Sequence, residues 1–215
     1  RPHNAVAFVD AEGALLNVYA KTHLFGDADR VQFTPGPALP TVFSYRGWRL
    51  GLLICYDVEF PEPVRHLALL GADAVLVPTA NMREYDEVPT VLVPARACEN
   101  RVYLAYANAC GREGDTNYGG LSTVAGPLGA VVAQAGRDAS LSVVRLSAQA
   151  LHAADIMRDL DLNRSQFALI AGLAFSGVYA FAALFAGVLA DRLGRVKVLS
   201  GGLGIWSLFT AFAGL

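Results

Sequence analysis

Cys55 is the residue of this sequence best placed to act as a nucleophile. It follows Arg49-Leu-Gly-Leu-Leu-Ile54, a nearly continuous apolar run of the kind that forms a strand buried on both faces, and precedes a stretch of helical spacing that begins after Pro61. A thiol at the edge of a sheet has its backbone fixed while its sulfur can be exposed. Position alone leaves a structural role open, because buried thiols are frequent in apolar settings. Cys98 and Cys110 add neither a paired framework nor a C-x-x-C spacing, and a reducing compartment is the natural reading. No His and Cys cluster has zinc-type spacing, so neither a metal nor another cofactor is expected.

The elements that must position Cys55 belong to an α/β domain running from Ala5 to about Leu146. Ala5 to Val9 and Ala14 to Ala20 flank Asp10-Ala-Glu-Gly13 as a hairpin, and Thr41 to Tyr45 and Trp48 to Ile54 flank Arg46-Gly47 in the same way. A helix over Glu62 to Leu70 stops at Gly71, and a buried strand follows over Ala74 to Val77. A helix from about Val91 to Asn100, a strand from Val102 to Ala107 and a hairpin around Pro127-Leu-Gly129 complete this part. The chain has 215 residues and a net charge of -2, which gives no reason to expect a nucleic-acid partner. Without an initiator Met or the apolar core of a signal peptide, it is expected to begin inside a longer protein.

Around Cys55 the sequence resembles the nitrilase, or carbon-nitrogen hydrolase, superfamily. Gly51-Leu-Leu-Ile-Cys55-Tyr-Asp-Val-Glu-Phe-Pro-Glu62 is similar to that family's nucleophile segment. Gly71-Ala-Asp with Val77-Pro-Thr-Ala-Asn81 is similar to its next strand, Ala95-Arg-Ala-Cys-Glu-Asn100 to the helix beyond, and Tyr19-Ala-Lys-Thr-His-Leu-Phe-Gly26 to the segment carrying its catalytic lysine. The resemblance implies an αββα sandwich and a Glu-Lys-Cys triad in which Cys55 is the nucleophile and Lys21 the lysine. The chemistry accounts for those residue types. An amide carbon is a poor electrophile, so hydrolysis needs a soft, ionised nucleophile, a base and donors for the developing oxyanion. An ammonium beside a thiol favours the thiolate and, with the backbone N–H after the cysteine, that of Tyr56, stabilises the tetrahedral oxygen. His23 is read as supporting the lysine loop.

Three features depart from the family pattern. The general-base glutamate lies on an early strand upstream of the lysine, a stretch absent here. Glu12, in a turn, and Glu59, within the nucleophile block, do not replace it, so turnover is expected to fall by about 10²- to 10⁴-fold. Asp29 takes the position where a second acid, usually glutamate, follows the lysine. Tyr56 and Asn81 are candidate substrate-binding residues beside it, and a surface charge is the alternative for Asp29. The usual C-terminal tail is replaced after about Val144.

Beyond Arg164 the character changes. From Ser165 to Ala190 there is no charge, and the residues from Gln166 onward would reach roughly 37 Å as a helix, enough to span a bilayer. A second uncharged run covers Val198 to Leu215. The basic loop between them would face the cytoplasm. That loop, Gly187-Val-Leu-Ala-Asp191-Arg192-Leu-Gly194-Arg195-Val-Lys197, resembles the signature between the second and third helices of major facilitator superfamily transporters, with Val196 where a basic residue is usual. A membrane-flanking charge cluster is the plainer reading.

The sequence therefore predicts a truncated carbon-nitrogen hydrolase domain over residues 1–146, a junction over 147–164 and a transporter-like fragment over 165–215 that serves at most as an anchor. The expected function is hydrolysis of an amide, carbamoyl compound or nitrile in a cytoplasmic domain. The alternatives are a transporter protein with a passenger hydrolase, or an amide-binding module without chemistry. A homo-oligomer is compatible with the sequence.

Overall fold

In the computed structural model, residues 1–160, 162, 163, 165–173 and 176 are described. The chain divides after Ile156 into two units. The first is built on a mixed six-stranded sheet whose strands lie in the order β10 (Val131–Gln134), β9 (Thr123–Ala125), β6 (Tyr103–Asn108), β5 (Ala74–Thr79), β4 (Trp48–Leu52), β3 (Val42–Tyr45), with separate hairpins of β1 (Ala5–Val9) with β2 (Leu15–Ala20) and of β7 (Cys110–Glu113) with β8 (Thr116–Gly119).

The hairpins form where turn residues demand them. Asp10 accepts from the amides of Glu12 and Ala14, and Gly13 takes φ +84°, which joins β1 (Ala5–Val9) to β2 (Leu15–Ala20). Arg46 and Gly47 both have positive φ, joining β3 (Val42–Tyr45) to β4 (Trp48–Leu52) antiparallel. β4, β5 (Ala74–Thr79) and β6 (Tyr103–Asn108) then run parallel, and helices make the crossovers. α2 (Pro61–Leu69) opens on a proline, whose missing N–H costs nothing in a first turn, and its chain reverses at Gly71 with φ +82°. Gly51 lets α2 approach β4 closely, since a Cβ there would lie 2.7 Å from the Leu67 side chain.

The side chains of the parallel strands alternate between two faces. Leu53, Val75, Val77 and Leu104 are buried in a core with Val58, Val64, Leu67 and Val93 from the helical segments. Leu50, Ala74 and Tyr103 gather Phe8 of the β1-β2 hairpin, Trp48, and Leu146 and Leu151. Helical segments thus cover one face of the sheet, and the β1-β2 hairpin together with Leu146 and Leu151 packs on the other, as expected of an α/β domain.

Several elements differ from the expected ones. The helix expected from Val91 begins as a π turn over Val88–Leu92, in which the Val93 amide reaches back to the Val88 carbonyl, and continues as α3 (Val93–Asn100). Pro89 and Pro94 both sit in first turns, where a missing N–H costs little. α1 (Gly26–Gln32), the strands β7 (Cys110–Glu113) and β8 (Thr116–Gly119), and α4 (Ala148–Asp159), which crosses the expected junction, are additions; α1 buries no residue and so leaves no apolar stripe to read.

In the second unit Asn163 and Gln166 cap each other's amides at 2.8 Å and start a helix whose described part covers 165–173. Among the described residues no helix is long and apolar enough to cross a membrane. Most of the expected Ser165 to Ala190 span, the whole Val198 to Leu215 run, and Gly187, Asp191, Arg192, Gly194 and Arg195 lie outside the described residues.

Candidate active site

The parallel ladder continues past β4 through the amide of Leu53, which donates to Leu76 O, and then stops. Cys55 has φ +48°, the left-handed region that a residue with a Cβ enters at a cost of about 1–2 kcal/mol. The chain turns there into a tight 3₁₀ turn over Cys55–Glu59. Asp57 closes that turn: its amide donates to Ile54 O while its Oδ2 accepts from the Ile54 amide. Strained backbone held by surrounding bonds is the usual setting of a functional side chain.

Lys21 comes from the end of β2. Its amide donates to Asn4 O and its carbonyl accepts from Gly36, so its backbone is fixed on both sides. The side chain is 3% exposed, and Nζ lies 2.6 Å from Asp29 Oδ2, which also accepts from the Phe25 amide. α1 thus matters to the site through one side chain. Cys55, Lys21, Asp29, Phe25, Asn4 and Thr79 line a cavity of about 550 Å³, within the range of small-molecule sites.

Of the other residues singled out in the sequence, Tyr56 and Asn81 adjoin cavity-lining residues along the chain. Tyr56 packs edge-on against Phe25 and Phe60, with ring centroids 5.1 and 5.0 Å away. Asn81 is buried and its side-chain Nδ2 donates to Tyr85 O. His23 stacks on Phe60 at 4.1 Å and turns Nδ1 towards Asp57. Glu12 is exposed in its turn. Burial, reinforced by the charge of Glu87 and opposed by Lys21, raises the Glu59 carboxyl above the usual range. Behind the cavity, burial holds the Tyr106 phenol above its ordinary value, so it remains a neutral partner to Thr79. Sequence reasoning missed Asp57, whose partners are remote along the chain. Among the described residues no group of His, Cys, Asp and Glu could hold a metal.

The carbon-nitrogen hydrolase family model matches residues 1–155, and a Major Facilitator Superfamily model matches residues 128–215. The hydrolase in the pqqF 5' region of Pseudomonas protegens is 50% identical over 147 residues, 68% of this chain and 52% of that protein. An (R)-stereoselective amidase of a Pseudomonas species is 40% identical over 173 residues, 80% of this chain and 61% of that protein. A mutant amidase from Nesterenkonia sp. AN1, solved with acrylamide joined to its active-site cysteine by Michael addition, superposes with a TM-score of 0.65 at 44% identity, covering 73% of this chain and 62% of that one. The chain therefore spans half to three fifths of the length of these relatives. With the family model covering most of its length and the fold matching a solved amidase, the chain belongs to the carbon-nitrogen hydrolase family.

Proposed function

We propose that this chain hydrolyses the carbon-nitrogen bond of small amides through a thioester on Cys55. The observation that carries the reading is a cysteine at φ +48° on a strand-to-helix turn, opening into the same cavity as a buried ammonium, Lys21. The Cys55 thiolate attacks the amide carbon, a C–S bond forms, and the carbonyl π electrons move to oxygen. Lys21 and the Tyr56 N–H stabilise that oxyanion. Collapse breaks the C–N bond as the nitrogen takes a proton from water and leaves as ammonia or an amine. Water then attacks the thioester, releases the acid and restores the thiol. Asp29 serves by holding Lys21 in place, and Tyr56 and Asn81 shape the neighbouring wall.

The likeness to an (R)-stereoselective amidase and to a solved amidase supports an amide as the substrate. Among the described residues the acid lining the cavity is Asp29, which is already paired with Lys21. We expect turnover slower by about 10²- to 10⁴-fold than with a dedicated base. Acrylamide tests the nucleophile directly: peptide mass mapping after brief exposure is expected to find the adduct on Cys55 ahead of Cys98 and Cys110. Equal labelling of the three cysteines would remove Cys55 from this role.

A second reading rests on the Major Facilitator Superfamily match to residues 128–215 and on the loop Gly187 to Lys197. In it the hydrolase domain is joined to a transporter-like segment that anchors it to a membrane. Sedimentation of the full chain with lipid vesicles, reversed by deleting residues 165–215, would support that arrangement, and a full chain that stays in the supernatant would oppose it.

A further inference from the structure

Asp57 is the only acid buried among the described residues, at 0% exposure. A carboxylate taken out of water is tolerated only when its lone pairs are satisfied. Oδ1 accepts from Thr22 Oγ1 at 3.2 Å, the His23 amide at 2.9 Å and His23 Nδ1 at 3.0 Å. Oδ2 accepts from Tyr19 OH at 3.0 Å and the Ile54 amide at 3.2 Å. Four of these five donors belong to residues 19, 22 and 23, which bracket Lys21. The fifth is the amide just before Cys55. One side chain therefore grips both flanks of the lysine and the residue preceding the nucleophile.

The surroundings reinforce the grip. Burial, opposed by the Thr22 hydrogen bond and reinforced by the charge of Asp57, keeps the Tyr19 phenol protonated as a donor. His23 is held by its stack on Phe60, which ends the nucleophile turn. Moving the Lys21 strand end away from the Cys55 turn would strip a buried anion of most of its donors at once.

We propose that Asp57 is a positioning residue that bolts the lysine arm to the nucleophile turn and so sets where the Lys21 ammonium stands relative to the Cys55 sulfur. This rests on the reading of Cys55 as nucleophile and Lys21 as its cationic partner. Asp57 touches neither substrate nor sulfur; it acts through the backbone of Ile54 and His23 and through the side chains of Tyr19, Thr22 and His23.

The test is the pH profile of Cys55 alkylation by iodoacetamide in the full chain, read by peptide mass mapping. Wild type is compared with Asp57→Asn, with the milder Tyr19→Phe and His23→Gln, and with Leu104→Ala, a core truncation that lowers stability without touching the bolt. In Asp57→Asn the midpoint should rise by about one pH unit and the rate at pH 7 fall roughly tenfold, because the thiolate fraction follows the placement of the nearby cation. Tyr19→Phe and His23→Gln should move the midpoint the same way by less, and Leu104→Ala should leave it in place. If Asp57→Asn does not fold, the two milder variants decide. A wild-type profile in the bolt variants, or an equal shift in Leu104→Ala, overturns the proposal. A wild-type Cys55 that titrates no differently from Cys98 and Cys110 overturns the functional reading, and the proposal falls with it.

Discussion

The two halves of the site are held in opposite ways. The nucleophile turn is an extension of the core: Leu53 and Val58 on either side of Cys55 are fully buried, and α2 continues directly from the turn to set Leu67 against Gly51. The acid half rests on α1, which buries nothing and has no side-chain cap. Asp29 is kept in place there by the Phe25 amide and Lys21. Packing therefore fixes the atom that must not move, and charge fixes the one that adjusts the cation. Stability and reactivity should then respond separately to substitutions in the two halves.

The largest stability effect is expected beneath the nucleophile. Leu67→Ala should cost about 2–5 kcal/mol in denaturant unfolding, whereas a matched truncation on α1, Val31→Ala, should stay within about 0.5 kcal/mol. Similar costs at both sites would erase the distinction between the halves.

Next comes Asp29→Asn, which strands the buried Lys21 ammonium without its partner. It is expected to cost about 3 kcal/mol, with most of the loss recovered when Lys21→Met is added. A double-mutant cycle measures the coupling, and additive losses would mean that the 2.6 Å contact does not hold the lysine.

The smallest effect concerns Glu59, whose carboxyl is raised by burial and by Glu87. A carboxyl raised in the folded state makes the fold lose stability as pH climbs from the unfolded value, about 4.3, through the folded one. Glu59→Gln removes that loss. Its melting temperature should exceed that of wild type at pH 7 and converge with it by about pH 4. An advantage that grows on acidification would contradict the assignment.

Much of the nucleophile half was legible in the sequence. The unbroken apolar run ending at Cys55, the Arg46-Gly47 turn and the stop at Gly71 each carry a local physical signal, and the elements there fall within a few residues of expectation. α1 was not legible, because Gly-Asp-Ala-Asp-Arg-Val-Gln has no apolar face and owes its place to the contacts of Asp29. Asp57 was quoted within the nucleophile block, yet its donors on Tyr19, Thr22 and His23 lie 34 to 38 residues away, and no spacing rule reports a bond of that kind. β7 and β8 escaped for a third reason: apart from Cys110 and Tyr118 they consist of polar residues and glycine, so they lack the apolar alternation that marks a half-buried strand.

The most direct test of the account is ammonia release from a panel of aliphatic and amino-acid amides by the full chain, with wild type beside Cys55→Ala. The account predicts slow release by wild type that disappears in the variant. Release that persists in Cys55→Ala, or a folded wild type that releases nothing, would contradict it.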